Sequence, residues 1–184
     1  MWQDLYDQIA TEYVIHRPPS TKIDAALNEC EYSLGINLPA SYRAFIHQFG
    51  PGELLGWFRM YAPLIDGESG ASDALDIVNQ HEMWQDPDGY WASTADPELV
   101  NRLVFCCDTG GGDAYFWDPN DVCDAQRNEY ALYELPHSGI NADVIRVADC
   151  FVDFINDFCL KTTWTKLVSE DRQTQDYWSC WRRA

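Results

Sequence analysis

The sequence predicts an α+β protein, with helices packed around a mainly antiparallel sheet, and three observations lead there. Apolar residues recur at helical spacing as far as Phe49. From Glu53 the pattern changes to bulky aromatic and aliphatic runs broken by turn residues. After Asn141 a helical period returns.

The elements follow in order. Trp2, Leu5, Tyr6, Ile9 and Tyr13 share one helical face, and that helix must end before Arg17, Pro18 and Pro19, whose rings block its continuation. Ser20 or Thr21 can cap a second helix with the stripe Ile23, Leu27, Cys30 and Leu34, closed by Gly35 in a left-handed conformation. Pro39 suits the first turn of a third, short helix carrying Tyr42, Phe45, Ile46 and Phe49, which Gly50, Pro51 and Gly52 end. The run ELLGWFRMYAPLI, with its isolated Gly56, suits a strand or a bent strand pair. Ser72 is placed to cap a helix bearing Ala74, Leu75, Val78 and Trp84, and a polar surface loop is expected from Asp88 to Pro97. RLVFCCD, DAYFWD and NEYALYELP then read as strands of an antiparallel meander, the first apolar on both faces. Val144, Ala148, Phe151, Ile155 and Phe158 predict a closing helix from Asn141 to about Leu160, with Asp149, Asp153 and Asp157 on its opposite side. Acids so spaced repel slightly, and a solvated face is their commoner explanation.

With 184 residues, 46% of them hydrophobic, the chain has the length and core material of one domain. We expect an N-terminal helical extension over 1–19, the domain proper over 20–160, and an aromatic tail over 161–184 whose Trp164, Leu167, Tyr177, Trp178 and Trp181 pack back onto it or extend an interface. No apolar run approaches the length of a bilayer span, and MWQDLYDQIATEY has acids where a secretory signal needs cations, so a cytoplasmic protein is expected.

Charge is the first functional clue. Twelve Lys and Arg stand against 30 Asp and Glu, a formal net charge of -18. Such a field repels nucleic acid and anionic lipid and steers basic partners inward. Seven cysteines, Cys30, Cys106, Cys107, Cys123, Cys150, Cys159 and Cys180, form no C-x-x-C pair and read as free thiols, so neither a metal nor a cofactor is expected. His16, His47, His81 and His137 fall in no metal-binding or catalytic frame. The stretch VFCCDTGGGDAYFWDP offers Gly110, Gly111 and Gly112 as a possible phosphate cradle. Asp113 follows them where a Walker loop needs Lys, and a strand-like run replaces the required helix. The glycines therefore read as a turn with positive φ, and Asp113 as its stabilising acid.

From Ile23 to Gly52 the pattern I-x-x-x-L-x-x-x-E-x-x-L-G-I-x-L-P-x-S-Y-R-x-F-I-x-x-F-G-x-G resembles the N-terminal signature of the SUKH superfamily, with Glu31, Leu34, Gly35, Leu38, Pro39, Tyr42, Phe45 and Gly50 in its places. Gly112-Asp113 between two strands, Asp118 after an aromatic, and Phe151 to Phe158 extend the likeness, which runs from about Ser20 to Leu160. The resemblance implies a curved, mainly antiparallel sheet wrapped by helices and a role without catalysis: an immunity protein that neutralises a toxin domain, often a nuclease, or else a regulatory interaction module with no toxin. Joined to the charge, it makes Asp149, Asp153 and Asp157, or Asp86 and Asp88 of the loop, the candidate contacts for a basic toxin domain, with Trp84 and Trp91 as candidate aromatic anchors.

Overall fold

The first apolar stripe forms helix α1, Gln3–Ala10. Trp2, just before it, is buried edge-on to Phe45 and Phe151 and donates its indole N–H to the Ser41 carbonyl at 3.0 Å. The structure, a computed structural model, describes residues 2–10, 20–63, 76–86, 88, 97–137, 143–163 and 178–180. The expected end of the first helix at Arg17 to Pro19 lies outside them.

Helix α2, Ser20–Leu34, buries the whole expected stripe, and Gly35 takes φ 69 after it. Helix α3, Ala40–Phe49, follows Pro39 and ends at Gly50, φ 72, whose N–H returns to the Ile46 carbonyl. Pro39 has no side chain that could cap α3. Its first donors are met from far along the chain: Ala40 N–H by the Arg127 carbonyl, and Ser41 N–H by Glu129 Oε1, each at 2.9 Å.

The run after Glu53 is a bent strand pair, β1 (Gly52–Leu54) and β2 (Phe58–Met60), joined through Leu55 and Gly56, both with φ near 60°. Helix α4, Ile77–Trp84, starts later than Ser72: Asp76 is its N-cap, with Oδ1 accepting the Val78 N–H at 3.0 Å. Ser72, Ala74 and Leu75 lie outside the described residues. A short helix α5, Pro97–Arg102, stands where the surface loop was expected to end, with proline at its first position and Glu98 in its first turn. Strands β3 (Val104–Thr109), β4 (Ala114–Asp124) and β5 (Glu129–Leu135) form the expected meander.

The closing helix needs correction. Ile145–Ala148 is a strand, β6, paired antiparallel with β5. Val144, Ile145 and Val147 favour extended backbone, and the helical spacing from Val144 to Ala148 was coincidental. Helix begins only at α6, Phe151–Asp153, and passes into a π-helix over Phe154–Thr163. The looser winding stacks Phe154 on Phe158, with centroids 5.4 Å apart.

All strands join one open antiparallel sheet in the order β6-β5-β4-β3-β2-β1-β7, where β7 (Trp178–Cys180) runs beside β1. Bulges interrupt β3, β4 and β6 and bend the ribbon. Both faces are covered. Tyr115 and Trp117 pack against α3, α6 and the π-helix through Tyr42, Phe151, Phe154 and Phe158. Phe105 and Phe116 meet Trp84 of α4 on the other side. This explains why β3 is buried at every position.

Candidate protein-docking surface

The glycine turn is built from the inside. Thr109 N–H bonds the Asp113 carbonyl at 2.8 Å, while Thr109 Oγ1 accepts the N–H groups of Gly111 and Asp113 and donates to Asp113 Oδ2. Asp113 Oδ1 accepts the His137 N–H at 2.9 Å. The carboxylate thus stabilises the turn, as its place in the sequence suggested, and also ties it to the end of β5. Of the three glycines only Gly112 has positive φ, at 95°. Gly110 and Gly111 lie under the Trp57 ring, where a Cβ on Gly111 would come within 3.0 Å. Gly111 is required by the close approach of Trp57 and Gly112 by its backbone conformation, while Gly110 has room for a Cβ at ordinary contact distance.

The expected contact residues are not brought together on one helix face. Asp149 lies between β6 and α6, exposed and bonded to Arg146, which also holds Asp121 at 2.8 Å. That pairing draws the Asp121 carboxyl below its usual range. Asp153 is half-buried and accepts from the Cys150 thiol at 3.3 Å, and Asp157 is exposed on the π-helix. Asp86 and Asp88 are both exposed, with Asp86 Oδ1 accepting the Asp88 N–H. Trp84 is 6% exposed and sits in the core, stacked on Phe105, so it has little surface to offer a partner. Trp91 lies outside the described residues.

Each arginine among the described residues meets a carboxylate of the chain. Arg43 pairs with Glu31 and Asp24, Arg59 with Asp108, Arg102 with Asp118, Arg127 with Glu129, and Arg146 with Asp121 and Asp149. Asp118 and Glu129 are almost completely buried, each held by hydrogen bonds as well as charge: Arg102 grips Asp118 bidentately at 2.7 and 3.1 Å, and Ser41 donates to both oxygens of Glu129. Burial pushes Asp108 up to about 6, against the lowering pull of Arg59 at 2.6 Å. Glu134 is pushed up to about 7 by burial and then by the Asp113 charge. The partners range from the buried Asp118 and Glu129 to the exposed Asp24 and Asp149, so these pairs neutralise positive charge both in the core and at the surface.

Burial also sets the thiols. Cys30 is pushed up to about 12, and Cys107 and Cys159 well above the ordinary range, so they stay protonated as small core residues. Among the described residues no group of three His, Cys, Asp or Glu is placed to hold a metal, and no helix is long and apolar enough to cross a membrane.

One depression, of about 530 Å³, lies where the end of α2 and the loop after it meet the β4–β5 ribbon. Glu31, Tyr32, Gly35, Ile36, Asn37, Pro119 and Tyr130 line it. The Tyr130 hydroxyl donates to the Asn37 carbonyl at 3.0 Å and closes one end. Glu31 Oε1 accepts the Leu38 N–H at 2.8 Å and meets Arg43 at 3.0 Å. Tyr32 is 90% exposed, against the burial of every other tyrosine in the core. Sequence reasoning passed over this groove. Its one signal was a large aromatic on α2 lying off the stripe of Ile23, Leu27, Cys30 and Leu34.

A single antiparallel sheet clasped by helices on both faces, with an open aromatic groove at the end of α2, defines an α+β protein. The chain belongs to the SMI1 / KNR4 family (SUKH-1), whose model matches residues 24–157. That span runs from the body of α2 into the π-helix and so takes in the meander and the groove. The family is one of immunity- and regulator-type interaction modules and is not a known enzyme family. No curated protein sequence matches the chain.

Proposed function

We propose that this protein is an immunity protein, which binds a basic, nuclease-type toxin domain in the cytoplasm and neutralises it by covering its phosphate-recognising surface. One observation carries the reading: a chain of net charge -18 whose described arginines are all paired with its own carboxylates. Such a surface imitates a polyanion, speeds encounter with a basic partner and repels acidic ones. Membership of a family of immunity- and regulator-type modules supports this reading. The proposed contacts are the exposed acids Asp86, Asp88, Asp149 and Asp157, with Asp153 beside them and Trp91 as an aromatic anchor.

The decisive experiment is rescue. A toxin domain encoded beside this gene is expressed with and without the protein; survival with it and death without it are expected. Replacing Asp86, Asp88, Asp149, Asp153 and Asp157 by lysine should slow association at least about tenfold at low salt and flatten its salt dependence. Unchanged association kinetics would remove those acids from the interface. Absence of rescue and of binding would favour a regulatory module with no toxin partner.

A further inference from the structure

The groove at the end of α2 combines three features that select one kind of occupant. Its aromatic wall is Tyr32, whose ring stands almost wholly in solvent, facing a depression that Ile36, Pro119 and Tyr130 also line. Its one charged lining residue, Glu31, is acidic. Both named contacts of that side chain, with Leu38 N–H and Arg43, fall on Oε1, so Oε2 keeps its capacity to accept. The neighbouring Arg43 is shared with Asp24, which also meets His47 at 2.9 Å, and with a neutral imidazole two carboxylates against one guanidinium leave the cluster net negative.

The third feature is the helix itself. Gly35, Ile36 and Asn37 follow the carbonyl end of a 15-residue helix whose last turn contains no basic residue. The negative pole of α2 beside the groove is thus met by no basic residue of its own helix, and the neighbouring cation, Arg43, is already engaged by Glu31, Asp24 and Asn28. An aromatic face, a carboxylate and a helix C-terminus each favour a cation, and the first also favours the flat, weakly hydrated guanidinium over an ammonium.

We infer that this groove is the anchoring pocket for an arginine side chain of the protein partner, with the guanidinium against the Tyr32 ring and Glu31 and the aliphatic stem along Ile36 and Pro119. The inference rests on the proposed basic partner, and it adds a specific aromatic anchor to a surface otherwise described by charge alone. It also gives Tyr32 a reason to be exposed that packing within the fold does not provide.

Two measurements test it. In the first, the isotope-labelled full chain is titrated with a capped Gly-Arg-Gly peptide and with its citrulline counterpart, which keeps shape and loses charge. Saturable shifts at the amides of Tyr32, Gly35, Ile36 and Asn37 are expected with arginine, with affinity about tenfold weaker for citrulline and about threefold weaker for arginine on Tyr32→Ala. Glu31→Gln, which retains an acceptor for Leu38 N–H, should weaken arginine binding, with spectral changes in the free protein confined to the surroundings of Leu38 and Arg43. Equal binding of the two peptides, shifts elsewhere on the protein, or indifference to Tyr32→Ala would overturn the pocket.

The second uses the toxin domain of the rescue experiment. If the natural chain protects and Tyr32→Ala binds that toxin with unchanged affinity, the pocket fails while the immunity reading stands. If the natural chain does not protect, the immunity reading fails, and the peptide titration still decides the pocket.

Discussion

The two hairpins that leave β4 differ in what holds them and in what they do. The β3–β4 turn, with its three glycines, is closed mostly by local bonds: a threonine hydroxyl, two backbone N–H groups and an aspartate that accepts from that hydroxyl and from the His137 N–H. Trp57 lies over it, and its chemistry is spent within itself. The β4–β5 ribbon looks plainer in sequence, yet Arg127 and Glu129 reach across to the start of α3, and Tyr130 reaches to Asn37. The conspicuous motif is internal, and the inconspicuous one joins distant parts of the chain and walls the groove. Residue types that resemble a site can be consumed by local geometry, and a site can be assembled from residues with no motif at all.

Breaking the second hairpin should cost most. Glu129 is 4% exposed, bonded to Ser41 N–H and Oγ, and supplies the negative charge at the start of α3. Glu129→Ala orphans two buried donors and leaves Arg127 without this partner, so a loss of about 3 kcal/mol is expected in urea unfolding. Glu129→Gln preserves an acceptor for Ser41 and should lose about half as much. A loss under about 0.5 kcal/mol for the alanine variant would mean that the hairpin is not what caps α3.

The glycine turn should respond in a graded way. A Cβ at Gly112 would come 2.6 Å from His137 Nδ1 on a backbone with φ 95, so Gly112→Ala should cost about 2 kcal/mol. Gly111→Ala meets the Trp57 ring at 3.0 Å and should cost about 1 kcal/mol, and Gly110→Ala, with 3.6 Å of clearance, about 0.5 kcal/mol or less. All three variants should bind a partner as the natural chain does once folded. A glycine variant that keeps its stability and loses binding would return the turn to the functional surface.

How much of this could be read in advance depended on the range of the interactions. Helices α2 and α3 were legible because stripe, stop and start are local: Ile23 to Leu34 face inward, and Gly35 and Gly50 end their helices with positive φ. Asp113 was legible as a turn acid for the same reason. The span from Ile145 to Ala148 was not, because its helical period and its extended preference conflict, and pairing with β5 decides between them. Helix α5, at six residues, is too short to show a period. The groove was beyond reach, since Tyr32 and Tyr130 stand 98 positions apart and meet only through the sheet.

A smaller effect links the two hairpins. Glu134 pairs across β5 with Tyr115 and lies near Asp113, and it is pushed up to about 7. Its unfolded value is near the ordinary 4.5, so between these limits the folded state holds a proton that the unfolded state has released. Stability therefore falls as pH rises from 4.5 through 7, and the penalty is complete above 7. Glu134→Gln removes the ionisable group while keeping its shape, and at pH above 7 it should raise stability by about 1 kcal/mol, partial solvation having reduced the full effect. Below 4.5 the variant and the natural chain should unfold at the same urea concentration. A variant that gains equally at both ends of the range would show that packing, and not the burial of an ionised Glu134 beside Asp113 at the base of the glycine turn, limits the stability of this edge of the sheet.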